Sequence, residues 1–273
     1  TANVRKILSE YLACGIDPEK AAIYVQSDVK EVLELYLYLN MNAYLGELQR
    51  VTSFKEKARK QPENVNAGLL TYPTLMAADI LIHRADKVPV GKDQEQNMEM
   101  ARKFARRFNT IYGVEFFPEP QSYSFGGDAI KVPGLDGSGK MGKSEGNAIY
   151  LIDDAATIRK KVMKAVTDSG PTQPNSEKPE AIANLFTMLK IVSSADTYDY
   201  FNEKYNACEI RYGDLKKQLA EDIVNFTSPI RERILAYAAD TEYMDKVARE
   251  GAEKARASAD KTIREVRKII GFN

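Results

Sequence analysis

The feature that most limits the fold of this chain is the alternation of short apolar segments with helical patterns up to Pro120. Apolar runs bounded by glycine, proline or charged residues predict strands, and apolar side chains at helical spacing predict helices. Alternation of this kind is typical of an α/β fold with a parallel sheet. We predict helices over residues 4–14, 29–44, 54–60, 67–85 and 93–112, and strands over residues 23–25, 87–91 and 115–117.

A change in composition separates this part from the rest of the chain. Six glycines fall between residues 126 and 144 with lysines among them, which indicates a basic loop. A short strand is predicted over residues 148–152, and helical patterns follow over residues 155–166, 179–193, 197–205, 212–226, 229–238 and 241–270. We therefore expect two domains, an α/β domain over residues 1–139 and an α-helical domain over residues 140–273.

Charge and cysteine content argue against several classes of protein. The chain has 39 Lys and Arg and 39 Asp and Glu, so no overall field draws it to nucleic acid or to a membrane. Cys14 and Cys208 lie far apart and outside any Cys-x-x-Cys pair, which argues against a disulfide framework or a zinc or iron–sulfur site. No apolar run reaches the roughly 18 residues that a membrane-spanning helix requires. These features predict a cytoplasmic protein with reduced thiols and no membrane segment.

The predicted helix over residues 67–85 places an acidic side chain among apolar ones. Tyr72, Met76 and Asp79 are spaced by four and three residues, so they share one face. A buried carboxylate without a partner is costly, so Asp79 should have a donor from the protein, from water or from a ligand. A ligand with an aromatic N–H or O–H fits this face. A bond to an arginine such as Arg84, or the capping of a loop, fits equally well.

The next candidate is Val88-Pro-Val90-Gly91-Lys92-Asp93-Gln94, where a predicted strand ends in glycine and opens into a helix. Ligands of open α/β sheets bind at the carboxyl ends of strands. Gly91 lets a ligand approach the backbone, and Asp93 suits a ribose hydroxyl or an ammonium group. The pattern is common, however, and plain capping of the following helix by Asp93 is the favoured explanation from spacing alone.

The most specific local signal is Lys140-Met141-Gly142-Lys143-Ser144. Two lysines in a glycine-rich loop suit a polyphosphate whose negative charge grows as pyrophosphate leaves. A basic loop exposed to solvent has the same composition. The five residues nevertheless closely resemble the Lys-Met-Ser-Lys-Ser loop of class I aminoacyl-tRNA synthetases.

Taken together, three motifs resemble tryptophanyl-tRNA synthetases of the bacterial type. They are Tyr-Pro-x-Leu-Met-Ala-Ala-Asp-Ile-Leu from Tyr72, Val-Pro-Val-Gly-x-Asp-Gln from Val88, and the lysine loop, and the similarity runs essentially from end to end. The resemblance implies a Rossmann-like parallel-sheet catalytic domain over residues 1–139. It also implies that residues 140–273 hold the lysine loop and an α-helical domain for the tRNA anticodon region, whose last helix packs back on the catalytic domain.

The resemblance further implies the ligands, the partners and a role for each site residue. L-tryptophan, ATP with Mg²⁺ on its phosphates, tRNA(Trp) and a second copy of the chain are expected, with Asp79 accepting the indole N–H. The tryptophan ring would lie against Met76, Val88 and Val90, and its α-amino group against Tyr72 and Gln94. ATP would contact Gly91, Lys92 and Asp93 at the ribose, the backbone near Lys131 at the adenine, and Lys140, Met141, Gly142, Lys143 and Ser144 at the phosphates. The chemistry would rest on Lys140, Lys143 and Ser144, without a protein nucleophile or a metal held by the protein alone.

Two departures from the family pattern affect this expectation. Gly142 stands where the lysine loop usually has serine, for which we expect a modest effect. The family also carries a His-x-Gly-His-type signature after its first strand, and the single histidine here, His83, lies too late in the chain to belong to it. We expect His83 to be an ordinary helix residue. We expect the missing strand and signature to precede Thr1, so that this chain alone would form little adenylate.

Three other functions share part of this pattern. A tyrosyl-tRNA synthetase has a similar fold and lysine loop, but the apolar helix around Asp79 and the Val-Pro-Val segment favour tryptophan. A non-catalytic tRNA-binding relative would not need the pocket and loop residues. A simple adenylyltransferase would share the α/β part without needing a long helical domain.

Overall fold

A computed structural model describes residues 2–123, 132–142 and 145–272. Within these ranges the chain forms eleven α-helices and a two-stranded parallel sheet. The chain divides into two compact units. We call Pro18–Asp128 with Asp245–Asn273 the strand unit, and Thr1–Asp17 with Ala129–Met244 the helical unit.

The strand unit contains the parallel sheet and the helices around it. Strand β1, Lys87–Pro89, pairs with β2, Gln121–Tyr123, so that Val88 lies opposite Ser122. The helices are α2 Glu31–Met41, α3 Leu45–Leu48, α4 Thr52–Lys60, α5 Ala67–Leu81 and α6 Glu95–Tyr112, together with most of α11 Thr241–Ile270. A strand, a helix and a parallel neighbouring strand in sequence are the usual building unit of an α/β fold.

One apolar core holds the strand unit together. Helix α5 packs against α2 and α6, and the side chains of Leu35, Ile82 and Phe104 are almost completely buried between them. Burial of an aliphatic or aromatic side chain of this size contributes roughly 1.5–3 kcal/mol. Helix α11 adds small and branched side chains to the same core at helical spacing: Ala255, Ala259, Ile263 and Val266.

The helical unit has a separate core. Its helices are α1 Ala2–Ala13, α7 Ala155–Met163, α8 Glu180–Val192, α9 Ala195–Asn206 and α10 Tyr212–Ala239. Leucines of α8 and α10 form the centre of its core: Leu185, Leu189, Leu215 and Leu219. Helix α1 packs on α10, where the Nε of Arg233 donates to the carbonyl of Ala13 at 2.9 Å.

The predicted helices are found close to their expected bounds, with one difference. Residues 212–226 and 229–238 form one continuous helix, α10, with Pro229 inside it. Proline removes a backbone donor and usually breaks a helix interior. The helix continues here because α10 packs against α7 and α1, while Thr227 and Ser228 donate their hydroxyls to carbonyls one turn earlier.

Three of the four predicted strands are wrong. Residues 23–25, 115–117 and 148–152 form no strand, and only the strand that begins at Lys87 is confirmed, ending at Pro89. In the second and third of these segments, side chains take backbone bonds that a neighbouring strand would take. The Oδ1 of Asn109 accepts from the N–H groups of Phe116 and Phe117 at 3.2 and 3.0 Å, and Asp153 accepts from Tyr150 at 2.9 Å. The second strand lies instead at Gln121–Tyr123, after Pro118 and Pro120.

None of the helices in the described ranges is both long enough and apolar enough to cross a membrane.

Candidate active site

Helix α5 carries the acidic face expected from the sequence. Tyr72, Met76 and Asp79 all lie within the helix, and all three are partly buried. The helix begins after Asn66, whose side chain accepts from the N–H of Leu69 at 2.9 Å and satisfies one of the free amides at the helix start. The predicted grouping of an aromatic, an apolar and an acidic side chain on one helix face is confirmed.

The donor partner of Asp79 is the side chain of Gln26. The Nε2 of Gln26 lies 2.8 Å from Oδ1 and 2.7 Å from Oδ2 of Asp79. Arg84 is engaged elsewhere, with its guanidinium 4.7 Å from the ring centroid of Phe116 and 3.7 Å from Glu265. Of the expected sources of a donor, the structure shows one supplied by the protein, and the alternative of a bond to Arg84 is wrong.

Burial changes the proton affinity of Asp79 and of its histidine neighbour. Burial raises the pKa of Asp79, while the hydrogen bond from Gln26 and the proximity of His83 lower the pKa in part. Burial lowers the pKa of His83, and Asp79 opposes that change. Burial thus disfavours the charged form of both side chains, and each of the two opposes part of that effect in the other.

His83 lies two residues past the end of α5 and joins two other segments. Its Nε2 is 3.0 Å from the hydroxyl of Tyr24, and its Nδ1 is 3.2 Å from the Oγ of Ser258 in α11. Burial and the nearby charge of Asp79 raise the pKa of Tyr24. The histidine thus links the segment before α2 to α11, an interaction that the sequence pattern did not indicate.

Tyr72 contacts two residues of α4 that sequence analysis did not select. Its hydroxyl makes a short hydrogen bond with the Oγ of Ser53, and the Nζ of Lys57 lies 5.1 Å from the centroid of its ring. A cation over an aromatic face is attracted by the electrons of the ring. Helix α4 therefore brings one hydroxyl and one cation to the amino-terminal half of the α5 face.

The connection from β1 to α6 holds the second group of candidate residues. Val88 and Val90 are partly buried, and Gly91 and Asp93 are exposed. Asp93 does not cap α6, because the helix begins at Glu95 and residues 92–94 form a 3-10 turn before it.

Gln94 has polar contacts with Asp93 inside that turn and with Asn97 in α6. Its Nε2 donates to the carboxylate of Asp93 at 3.1 Å, and its Oε1 accepts from Asn97 at 2.9 Å. The capping explanation for Asp93 is therefore wrong, and its carboxylate is held by Gln94 instead. The side chain of Lys92 lies outside the described part of the structure.

The lysine loop is built around the buried side chain of Asn147. Its Nδ2 donates to Asp136 at 2.9 Å, to the hydroxyl of Ser138 at 3.1 Å and to the carbonyl of Lys140 at 3.1 Å. Its Oδ1 accepts from the N–H of Gly142 at 2.9 Å. One amide thus fixes the backbone on both sides of Met141, and the side chain of Lys140 is exposed.

The lack of a side chain at Gly134 leaves room for the hydrogen-bonded cluster of Asn147, Asp136 and Ser138. A Cβ at this position would lie 2.2 Å from the Nδ2 of Asn147 and 2.5 Å from the Oδ1 of Asp136. Any side chain at residue 134 would therefore have to displace the cluster. Of the predicted ATP contacts, Lys140, Met141 and Gly142 belong to this segment, while Lys131 at the adenine and Lys143 and Ser144 at the phosphates lie outside the described residues.

Sequence reasoning missed Gln26 and Asn147 for different reasons. Gln26 is far from Asp79 in sequence, and no pattern connects the two positions. Asn147 follows the lysines after a short interval, and an asparagine next to a glycine-rich loop is a signal that could have suggested a role in holding the loop. Within the described ranges, no group of three or more His, Cys, Asp or Glu side chains is placed to hold a metal ion.

Comparison with known families gives a match over most of the chain. Residues 1–228 match the family described as class I tRNA synthetases (W and Y). A tryptophan–tRNA ligase of Porphyromonas gingivalis is 79% identical over 270 residues, which are 99% of this chain and 83% of that protein. A tryptophan–tRNA ligase of Listeria monocytogenes serotype 4b is 41% identical over 272 residues, 98% of this chain and 80% of that protein.

Solved structures give the same grouping. A tryptophanyl-tRNA synthetase of Campylobacter jejuni, solved with ADP and tryptophan, has a TM-score of 0.85 and 33% identity over 98% of this chain and 82% of that one. A tyrosyl-tRNA synthetase of Aeropyrum pernix has a TM-score of 0.61 and 20% identity, over 90% of this chain and 71% of that one. The second likeness is one of fold alone.

Proposed function

The chain belongs to the class I tRNA synthetases for tryptophan and tyrosine and is a tryptophan–tRNA ligase, and on this basis we propose a role for each of its site residues. The enzyme activates L-tryptophan with ATP and then transfers it to tRNA(Trp). A carboxylate oxygen of tryptophan attacks the α-phosphorus, the bond to the leaving pyrophosphate breaks, and tryptophanyl-adenylate forms. Tyrosine specificity is not favoured, since relatives at 79% and 41% identity are both tryptophan–tRNA ligases.

The surroundings of Asp79 are the observation that supports tryptophan as the amino acid substrate. Its carboxylate lies on the face of α5, is held by a neutral donor and is not neutralised by an arginine. It is therefore an anionic acceptor for a ligand N–H. A site built around such an acceptor rejects analogues that lack the matching donor, because the partly buried carboxylate then loses one of its donors.

The remaining candidate residues divide into a tryptophan group and an ATP group. We assign the indole ring to Met76, Val88 and Val90 and the α-amino group to Tyr72 and Gln94. The ATP ribose is assigned to Gly91, Lys92 and Asp93, the adenine to the backbone near Lys131, and the phosphates to Lys140, Met141, Gly142, Lys143 and Ser144. The partly buried valines and the exposed Gly91 and Asp93 support this division.

Mg²⁺ fits this assignment as an ion that arrives with ATP. Magnesium keeps several of its waters and is commonly bound through substrate phosphates, so the described residues need no cluster of acids to hold it. Bound there, it would neutralise charge on the leaving pyrophosphate. The lysines would hold the same phosphate oxygens from the protein side.

Residues 1–139 are proposed as the catalytic domain. Residues 140–273 are proposed to hold the lysine loop and an α-helical domain that contacts the anticodon region of the tRNA, with the last helix packed back on the catalytic domain. A cytoplasmic location follows from this role, because the substrates are tRNA, ATP and a free amino acid.

The direct test is ATP–pyrophosphate exchange by the full-length gene product with one amino acid at a time. Exchange is expected with tryptophan, and none is expected with tyrosine at the same concentration. Exchange that depends on tyrosine instead would overturn the substrate assignment.

An Asp79→Asn variant tests the residue that carries the assignment. The KM for tryptophan in the exchange reaction is expected to rise about tenfold, because a hydrogen bond to a charged group becomes one between neutral groups. Asp86→Asn is the matched control, since Asp86 is an exposed aspartate of the same unit. An unchanged KM in Asp79→Asn would show that the indole N–H is not bound by this carboxylate.

A homodimer is proposed to form through an exposed apolar face on α2. Leu33, Leu37 and Met41 follow at intervals of four residues, with 62%, 54% and 77% of their surfaces exposed. Tyr44 and Leu45, which follow the helix, are also exposed, at 64% and 58%. A continuous apolar surface of this kind is unusual on a monomer and typical of a subunit interface.

A Leu37→Glu variant is expected to convert the dimer into a monomer. The carboxylate would be placed at the centre of the apolar face, where pairing would bury it without a partner. Light scattering coupled to size-exclusion chromatography measures the mass. Leu235→Glu, which changes an exposed leucine of α10 in the other unit, should remain dimeric. If Leu235→Glu is a monomer and Leu37→Glu remains a dimer, the interface lies in the helical unit instead.

A further inference from the structure

Gln26 holds both oxygens of Asp79 with one nitrogen atom, although the two residues lie in separate segments of the strand unit. We propose that Gln26 is a positioning residue that orients the Asp79 carboxylate and thereby sets how strongly the enzyme selects a ligand with an aromatic N–H. This inference rests on the proposed function, in which Asp79 accepts the indole N–H of tryptophan.

The two distances define where the amide lies. A nitrogen at 2.8 Å from one carboxylate oxygen and 2.7 Å from the other lies between them, on the side away from the carboxyl carbon. It occupies the inner lone pair of each oxygen. A carboxylate has about four acceptor positions, so the outer lone pairs remain for other donors. Gln26 therefore restricts rotation of the carboxylate without using up its capacity to bind a ligand.

A neutral donor has an advantage over a charged one at this position. An arginine in the place of Gln26 would neutralise the carboxylate, and the remaining attraction for a weak N–H donor would be small. The Gln26 amide supports the ionised form and leaves the negative charge in place. Tyr24 and His83, the titratable groups nearest to Asp79, are held in the same region by their own hydrogen bond at 3.0 Å.

The segment that carries Gln26 is itself fixed. A 3-10 turn covers Gln26–Asp28, and the next residue, Val29, is buried in the core of the strand unit. Helix α11 also contacts the chain that leads into this segment, where the Nζ of Lys254 donates to the carbonyl of Pro18 at 3.1 Å. An exposed glutamine usually samples several rotamers, and fixing its side chain in one of them costs roughly 1.5–2 kcal/mol in conformational entropy. Here its backbone is held in place, so only the side chain must be ordered by Asp79.

A Gln26→Ala variant tests the proposal by its effect on selectivity. Two ligands are compared by calorimetry on the full-length gene product: L-tryptophan, and β-(3-benzothienyl)-L-alanine, in which sulfur replaces the indole N–H. The wild-type protein is expected to prefer tryptophan. The variant should bind tryptophan about tenfold more weakly, because the acceptor is no longer held in the orientation for one charge-assisted hydrogen bond. Its affinity for the sulfur analogue should change little, so the preference falls about tenfold.

Three further measurements separate the alternatives. Gln61→Ala, a change of an exposed glutamine after α4, should leave both affinities unchanged. In an Asp79→Asn background, Gln26→Ala should have no further effect on selectivity. Circular dichroism melting shows whether the variant remains folded.

Equal weakening of both ligands would assign Gln26 a purely structural role and overturn the proposal. Tighter binding of tryptophan would overturn it as well, because Gln26 would then be occupying the place of the ligand donor. A wild-type protein without preference for the N–H would instead contradict the proposed function itself.

Discussion

Replacing Lys140 with alanine is expected to slow tryptophan-dependent ATP–pyrophosphate exchange by about 100- to 1,000-fold, the usual effect of removing one group that stabilises developing charge. Negative charge accumulates on the pyrophosphate as the bond to the α-phosphorus breaks. A lysine contributes most in that state, so kcat should fall while the KM for tryptophan changes little. Steady-state exchange at several tryptophan concentrations measures both quantities.

Two controls identify the origin of the loss. Lys217→Ala removes an exposed lysine from α10 and should leave the rate unchanged. Lys140→Arg keeps the charge but changes the donor geometry, so an intermediate rate is expected. A rise in the KM for tryptophan at an unchanged kcat would place Lys140 in the binding of the amino acid and contradict its assignment to the phosphates.

The structure of the loop supports a large effect from one exposed side chain. Asn147 fixes the carbonyl of Lys140 and the N–H of Gly142, and Asp136 and Ser138 complete the cluster. The backbone is therefore held in place, and the lysine side chain can extend into solvent from a defined position. Ordering of the backbone before substrate arrives reduces the entropy lost in forming the transition state.

The helices could be predicted from the sequence because their apolar residues repeat at helical spacing. In α6, for example, Ala101, Phe104, Ala105 and Phe108 are all buried on one face. The strands could not, because two of the short apolar runs satisfy backbone groups through side chains rather than through a neighbouring strand. A run of three residues carries too little periodicity to separate these cases.

The candidate site was predictable to the extent that its residues are close in sequence. Tyr72, Met76 and Asp79 share a face because a helix has a fixed repeat, so spacing alone predicts the grouping. The pairing of Asp79 with Gln26 depends on how the segment before α2 packs on α5 and α11. No local pattern in one sequence records that packing.

Gly251→Ala is expected to destabilise the protein by about 3 kcal/mol, at the upper end of the cost of overpacking a core. Gly251 is buried in α11, and a Cβ there would lie 2.0 Å from the carbonyl oxygen of Ile23 and 2.7 Å from its carbonyl carbon. These are backbone atoms, so no side-chain rotation relieves the clash. Alanine favours a helix interior over glycine by up to about 1 kcal/mol, which is too little to offset it. Urea unfolding followed by circular dichroism measures the change in the free energy of unfolding.

The Gly251→Ala substitution should also affect ligand binding, because Ile23 belongs to the segment that carries Tyr24 and Gln26. Moving this segment away from α11 should also weaken tryptophan binding, since Gln26 would no longer reach Asp79 at 2.7–2.8 Å. Gly213→Ala is the matched control in α10, where a Cβ would meet no atom within 4 Å, and it should be neutral or stabilising by about 0.4–1 kcal/mol. If both glycine variants gain stability alike, α11 does not approach the backbone of Ile23, and the packing that holds Gln26 in place must be different.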